Sequence, residues 1–193
     1  MGYLINSPLL FSQIETCRDS DYLQLLDIAP ANAHLLEYFQ GIHCKLYLPG
    51  CTPALFEMSS TGWDTLNGCE TFLQQQLGFK QGDKARLDLI LLWDLPNYLP
   101  PDLLTDLIQY LLPFSHRQTR IHTYIYTRET MPQHPAHFCF EPQNKIRMQQ
   151  APEPRCTCPM YYKEMLQRLM VPFVIERGIL LSNGMQEYLL RRV

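Results

Sequence analysis

The segment that most constrains the fold is the run from Leu87 to Trp93, in which Asp88 is the only residue that is not apolar. A strand with apolar side chains on both faces needs cover on both faces, and helices supply that cover in parallel sheets. Polar and turn-forming residues follow at once, and Pro96 ends regular strand pairing there. The run therefore predicts a strand inside a sheet that has helices on both sides.

A second apolar run, from Tyr22 to Ile28, begins a strand, helix and strand near the start of the chain. Residues 35–39 carry apolar side chains at helical spacing, and Gly41 stands where a left-handed residue ends a helix. Another strand pattern covers residues 42–48 and stops at Pro49-Gly50. The length of this unit suits a crossover between parallel strands.

The second half of the chain alternates helical and extended patterns in the same way. Pro100-Pro101-Asp102 suits a first helical turn, and the leucine and isoleucine stripe from Leu103 to Leu112 predicts a helix on the sheet. Residues 121–126 predict a further strand, and residues 159–170 predict an amphipathic helix.

The chain ends in two strand-like runs, Phe173 to Leu181 and Met185 to Leu190, which are joined through Asn183-Gly184. Asn-Gly between such runs is the strongest local signal for a hairpin. Together these patterns predict an α/β fold of three layers. Its sheet of about six strands is mostly parallel and has a closing antiparallel hairpin.

Three segments have no clear place in this alternation. We expect short helical or irregular structure over residues 51–86, with a helix from Glu70 to Leu77, and we find no third parallel strand there. Residues 130–158 are rich in Pro, Gln, His and Cys and predict a surface excursion with one extended piece at 137–140. Residues 1–20 form an N-terminal extension of a single domain over residues 1–193.

Composition excludes several classes of function. The chain has 9 glycines, and their spacing gives neither a dinucleotide-binding Gly-rich loop nor a phosphate-binding P-loop. The formal charge of −3 argues against broad nucleic-acid binding. No apolar stretch reaches the roughly 18 residues of a membrane span. An odd number of cysteines, 7, suits reduced thiols. These features predict a soluble cytoplasmic protein without a membrane partner.

Two segments, and the order of the elements around them, resemble the class I S-adenosylmethionine-dependent methyltransferases. Residues 25–33, Leu-Leu-Asp-Ile-Ala-Pro-Ala-Asn-Ala, are similar to the family's Asp-x-Gly-x-Gly-x-Gly turn with an alanine at each glycine position. Residues 88–99 are similar to the family's fourth strand and the loop behind it. The resemblance spans roughly residues 20 to 193 and implies a Rossmann-like fold with S-adenosylmethionine as the cofactor.

The resemblance also implies roles for particular residues. Asp27 would orient the amino group of the methionine moiety, and the backbone at Ala29 and Ala31 would approach the cofactor. Asp94 and Asn97 would line the pocket for cofactor and substrate. Methyl transfer depends mainly on placing the reactants in line, so no fixed catalytic group is expected.

The sequence departs from the family pattern in ways that leave two functions open. Alanine adds a methyl group and restricts the backbone where the family has glycine. Residues 47–51 offer no carboxylate for the ribose hydroxyls, and Glu57 is the nearest acid along the chain. The chain is either an atypical methyltransferase, or a non-catalytic pseudoenzyme that keeps the fold as a protein-binding or scaffold module.

Each candidate residue also has an ordinary structural interpretation. Asp27 would cap the following helix with its carboxylate, and Asp94 and Asn97 would stabilise a turn. One further cluster has residue types that bind zinc, but its spacing matches no standard pattern, and we favour ordinary loop residues over a metal site. Its members are His134, His137, Cys139, Cys156 and Cys158.

Two further segments each have a functional and a structural interpretation. Tyr161-Tyr162 and the methionine-rich helix after them would form either a partner surface or, as we favour, part of the core. Arg177, Arg191 and Arg192 would form either a small basic rim or an ordinary solvated terminus.

Overall fold

The computed structural model describes residues 2–18, 22–61, 69–80, 82–150 and 154–193. Parts of three predicted segments lie outside these residues, namely 1, 19 and 20 of the N-terminal extension, 62–68 and 81 of the middle section, and 151–153 of the predicted excursion. The elements follow in this order: β1 (Gly2–Asn6), α1 (Pro8–Arg18), β2 (Leu23–Asp27), α2 (Ala33–Phe39), β3 (Cys44–Tyr47), α3 (Thr52–Thr61), α4 (Cys69–Leu77), β4 (Leu87–Trp93), α5 (Pro101–Leu111), β5 (Ser115–Tyr126), β6 (Thr130–Pro132), β7 (His137–Glu141), β8 (Lys145–Gln149), β9 (Arg155–Thr157), α6 (Lys163–Leu169), β10 (Phe173–Leu180) and β11 (Met185–Arg192).

The main sheet has six strands in the order β10-β11-β5-β4-β2-β3. Strands β3, β2, β4 and β5 are parallel to one another, whereas β11 is antiparallel to β5 and β10 is antiparallel to β11. This architecture confirms the predicted α/β fold with a mostly parallel sheet and a closing antiparallel hairpin. Strand β3 is one of the two edge strands of this sheet among the described residues. The described part of the middle section supplies helices α3 and α4 and no third parallel strand.

Strand β4 has apolar residues on both faces because each face is covered by a different layer. Ile90 and Leu92 pack with the leucines of α3, α4 and α5, and with Leu166 of α6. Leu89, Leu91 and Trp93 pack on the other face with apolar residues of α1 and α2. The predicted stripe is buried from Leu103 to Leu111, and Leu112, just beyond α5, is half-buried, so burial on both sides of the sheet accounts for the sequence pattern.

Both local turn predictions are confirmed. The unit from β2 through α2 to β3 is a parallel crossover, in which Leu25 lies beside Leu46. Gly41 follows the helix with a φ of +85°, as a helix-ending glycine should. Gly184 has a φ of +84° in the turn between β10 and β11.

Residues 130–158 contain more regular structure than the predicted surface excursion, and the extended piece predicted at 137–140 is strand β7. Strands β7 and β8 pair with each other, and β8 pairs with β1, so that a second, three-stranded sheet forms in the order β1-β8-β7. One face of this sheet is buried against the main sheet through Phe138, Phe140, Ile146 and Met148. Their alternation along short strands provides an apolar face that must be covered. The short strands β6 and β9 pair beside it.

Helix α6 is shorter than the predicted helix over residues 159–170. It begins at Lys163, because Tyr162 before it has an extended backbone with a ψ of 154°, and Met160, with a φ of +50°, is also outside the right-handed helical region. Leu166 and Met170 are buried, as the core interpretation expects, while Tyr162 is 64% exposed. In the described part of the chain, no helix has the length and apolar character needed to cross a membrane.

Candidate functional site

The turn after β2 takes a backbone conformation that suits alanine. None of residues 29–33 has a positive φ, so glycine is not required at any of these positions. Asn32 is the N-cap of α2, and its side chain accepts a hydrogen bond of 3.0 Å from the Leu35 backbone nitrogen. Asp27 therefore does not cap this helix, and the capping interpretation of its carboxylate is wrong.

Asp27 is the last residue of β2, and its buried carboxylate accepts hydrogen bonds from other residues of the protein. Its Oδ1 accepts a hydrogen bond of 2.6 Å from the indole nitrogen of Trp93 and one of 2.9 Å from the backbone nitrogen of Ala29. Burial of the carboxyl group raises its pKa from 3.8 to about 7, and the two hydrogen bonds oppose that rise. The resemblance implies that the Asp27 carboxylate would orient a cofactor amine. In the structure this carboxylate instead accepts a hydrogen bond from the last residue of the neighbouring strand β4.

Trp93 has an unusual backbone conformation, and its ring packs on the ring of Phe138 from the second sheet. Its φ is +51°, in the left-handed region that bulky residues rarely adopt, and its carbonyl accepts a 2.7 Å hydrogen bond from Thr123 Oγ1. Its ring is stacked on Phe138 with centroids 4.7 Å apart and an interplanar angle of 7°. The Asn32 side-chain nitrogen also donates to the Phe138 carbonyl at 3.2 Å, so β7 is fastened to the candidate cofactor turn.

The loops that follow β2 and β3 contact each other directly. The Thr52 nitrogen and hydroxyl both donate to the carbonyl of Ile28, at 3.2 and 3.0 Å. A Cβ placed on Gly50 would lie 3.7 Å from the Cα of Pro30. Glu57, the nearest acid to these loops along the sequence, is exposed on α3. These contacts tie the loop that follows β3 to the loop that follows β2.

Asp94 and Asn97 are buried and hold the loop after β4 to its surroundings. The side-chain nitrogen of Asn97 donates to the carbonyls of Asp94 and Tyr124, and its oxygen accepts from the Tyr126 nitrogen. Asp94 Oδ2 accepts from the Ala136 nitrogen at 3.1 Å and from the Tyr126 hydroxyl at 3.3 Å. Burial raises the pKa of Asp94 from 3.8 to about 7. Both side chains support the loop and strand β5, in agreement with the turn interpretation.

The remaining cofactor candidates differ in exposure. Ala29 is buried and donates its backbone nitrogen to Asp27, whereas Ala31 is exposed at the surface of the turn. The structure thus brings Asp27, Ala29 and Trp93 together, and it directs Asp94 and Asn97 toward β5. The sequence did not indicate the participation of Trp93.

The five candidate zinc ligands are not gathered into a site. Among the described residues, no group of three or more histidine, cysteine or acidic side chains is arranged to hold a metal ion. The ring of His134 packs on Phe56, and the thiols of Cys156 and Cys158 point to main-chain carbonyls. His137 is exposed, and Cys139 is buried within β7.

A buried polar cluster that the sequence analysis did not identify connects α1 to the main sheet. Glu187 Oε1 accepts hydrogen bonds from Ser7 Oγ at 2.6 Å and from the Leu10 nitrogen at 3.0 Å, and lies 3.0 Å from His122 Nε2. The hydroxyl of Tyr124 donates to Ser7 at 2.7 Å. The available signal was an ionisable side chain within each of two predicted strands, His122 in residues 121–126 and Glu187 in residues 185–190.

This cluster lacks the geometry of a catalytic triad. In a triad the two imidazole nitrogens contact different partners, the nucleophile and the acid. Here His122 Nε2 faces both Ser7 and Glu187, and His122 Nδ1 has no hydrogen-bond partner among the described residues. The side chains of Ser7, His122 and Glu187 are all buried. The cluster therefore anchors the first turn of α1.

Comparisons with known proteins give a likeness of fold. No protein-family model matches the chain, and no curated protein matches its sequence. It is similar to an S-adenosylmethionine-dependent methyltransferase from Clostridium acetobutylicum ATCC 824, with a TM-score of 0.51, 13% identity and coverage of 93% of this chain and 88% of that one. It is also similar to the PH0226 protein from Pyrococcus horikoshii OT3, with a TM-score of 0.50, 11% identity and coverage of 97% and 93%.

A third similar structure is longer. The chain matches the pyocyanin biosynthetic protein PhzM with a TM-score of 0.48 and 13% identity over 96% of its own length, and it spans 55% of that protein. Together with the predicted and observed order of strands, the likeness to the Clostridium acetobutylicum enzyme identifies the architecture. The chain has the fold of the class I S-adenosylmethionine-dependent methyltransferases.

Proposed function

We propose that this protein is a pseudo-methyltransferase, which keeps the fold as a non-catalytic protein-binding or scaffold module. The observation that carries the proposal is the hydrogen bond between the Asp27 carboxylate and the Trp93 indole. By family resemblance, Asp27 is the residue that would receive the amino group of S-adenosylmethionine. Here it joins two strands of the sheet.

The described residues do not fit the cofactor. A cofactor amine is positively charged and needs an ionised, accessible carboxylate, whereas Asp27 is 3% exposed with a pKa of about 7. The Thr52 to Ile28 hydrogen bonds join the loops that follow β2 and β3, next to which the resemblance implies that the ribose would bind. The stacked rings of Trp93 and Phe138 lie beside the turn, where the Asn32 side chain bonds to Phe138. These three contacts support a closed strand-end edge, so we derive no methyl-transfer step.

The alternative function is an atypical methyltransferase. Asp27 supports it, since it lies at the carboxyl end of a parallel strand, where open α/β sheets bind ligands. Under this alternative, the loops would separate when the cofactor enters. The two functions therefore predict different responses to added cofactor.

Isothermal titration of the purified protein with S-adenosylmethionine and S-adenosylhomocysteine distinguishes the two functions. We expect no saturable heat at millimolar ligand. We expect the same result for the double variant Ala29→Gly and Ala31→Gly, because these positions already have a backbone that suits alanine. Saturable binding that is lost in Asp27→Ala and kept in Asp102→Ala, an exposed aspartate on α5, would overturn the proposal.

A further inference from the structure

A cavity of about 520 Å³ opens at the end of the sheet opposite to Asp27 and Asp94. It lies where β4 and β5 begin and where β11 ends. A volume of this size is within the range of small-molecule sites. The cavity is lined by Arg86, His116, Arg117, Gln118, Arg192 and Val193.

Two of the arginines in this cavity have no countercharge among the residues that the structure describes. Arg86 and Arg117 are exposed, and neither guanidinium has a hydrogen-bond or ion-pair partner within the described residues. Elsewhere, Arg120 pairs with Glu176 at 2.6 Å and Arg147 pairs with Glu141 at 2.7 Å. The cavity thus concentrates unneutralised positive charge on a protein whose formal net charge is −3.

The third arginine is fixed in position by the backbone. Arg192 is half-buried, and its Nη1 donates to the carbonyls of Leu112 and Ser115. These acceptors orient the guanidinium without neutralising its charge, which reduces the entropy lost when an anion binds. His116 is held in a similar way by Asp88, whose carboxylate lies 2.9 Å from His116 Nε2. The cavity therefore combines two adaptable cationic groups with a fixed one.

We propose that this cavity binds a small phosphorylated ligand through Arg86, Arg117 and Arg192. Guanidinium groups form paired hydrogen bonds that match the oxygens of a phosphate group. The cavity is larger than one phosphate ion, and among the described residues its lining contains no Phe, Tyr or Trp ring for a base to stack on. Recognition consequently depends on the phosphate groups, and a compact molecule with two or more of them fits best.

Titration of the protein with pyrophosphate at low ionic strength tests the site. We expect saturable binding that is weakened about tenfold or more by Arg86→Gln and by Arg117→Gln, because each variant removes charge-assisted hydrogen bonds. These side chains have no structural partner among the described residues, so the variants should remain folded. Arg168→Gln, an equal charge change on the exposed face of α6, should leave the dissociation constant within twofold of wild type.

Three results would overturn the proposal. The first is the absence of saturable pyrophosphate binding, and the second is an equal weakening by Arg168→Gln, which indicates general charge attraction. The third is tighter binding of a single-stranded oligonucleotide than of pyrophosphate, which indicates an extended polyanion surface. Asp27→Ala should leave pyrophosphate binding unchanged, so this experiment and the cofactor titration fail independently.

Discussion

The indole nitrogen of Trp93 lies 2.6 Å from Oδ1 of Asp27, and this bond joins the final residues of two neighbouring parallel strands. Both residues are buried, and the carboxyl group has few other means of stabilising its charge. The bond therefore affects the stability of the fold and the protonation of Asp27 together.

Replacing Trp93 with Phe should raise the pKa of Asp27 further above about 7, because the indole hydrogen bond stabilises the charged form. The variant should also lose about 1–3 kcal/mol of unfolding free energy, the usual cost of leaving a buried acceptor without its donor. Carboxyl carbon chemical shifts followed by NMR across pH give the first quantity, and urea unfolding gives the second. Asp94 provides an internal control, since its pKa should stay where it is; an unchanged Asp27 pKa would contradict this prediction.

Stability should fall as the pH rises from 5 to 7.5. Burial raises the folded-state pKa of both Asp27 and Asp94 from 3.8 to about 7, so the folded protein holds protons that the unfolded chain releases. The stabilisation is complete below the unfolded pKa and is lost as the pH approaches the folded pKa. Urea midpoints across this range measure the slope.

The aspartates can be separated by substitution. Asp27→Asn and Asp94→Asn should each reduce the slope, and the double variant should remove most of it. The exposed Asp102→Asn should have no effect on it. A wild-type midpoint that rises over this range would show that other groups dominate.

Glu187→Gln should loosen α1. The carboxylate accepts from both Ser7 and the Leu10 backbone at the start of this helix. Loss of its charge should reduce the unfolding free energy by about 1–3 kcal/mol. Hydrogen exchange should accelerate at the amides of the first turns of α1. Glu15→Gln, on the exposed face of the same helix, should change stability by less than about 0.5 kcal/mol. Equal effects of the two variants would argue against the anchoring role of Glu187.

Gly184→Ala should destabilise the protein more than Gly41→Ala. Both glycines have nearly the same φ, +84° and +85°, so both variants incur a backbone cost of roughly 1–2 kcal/mol. A Cβ at Gly184 would also lie 3.0 Å from Nε of Arg128, whereas a Cβ at Gly41 meets nothing within 4 Å. Thermal unfolding of the matched pair measures the difference. A larger effect at Gly41 would contradict the contact with Arg128.

The main sheet was predictable because its signals are local. The apolar run from Leu87 to Trp93 predicts a strand that is buried on both faces. Asn183-Gly184 predicts a hairpin between strands that are adjacent in the sequence. The second sheet was not predictable, because β1 finds its partner β8 only after most of the chain has intervened. Short amphipathic strands with distant partners give no local sign of their pairing.

The candidate site was predicted in position, while its internal contacts were not. The family resemblance predicted that Asp27 lies at the end of a strand, and it is the last residue of β2. The partner of its carboxylate depends on the left-handed backbone of Trp93, and a bulky residue gives no sequence sign of that conformation. The start of α6 was missed for the same reason, since Met160 also has a positive φ.

The pairing of β1 with β8 also sets an order of events during folding. Residues 2–6 are synthesised before residues 145–149, with which they pair, and β2, β4 and β5 lie between them in the chain. Closing so long a loop is entropically costly, and contacts of this kind form late. During synthesis, the Trp93 ring has no Phe138 ring to stack on until β7 has been made. A shorter nascent chain consequently exposes the apolar surface of Trp93, which chaperones and proteases recognise.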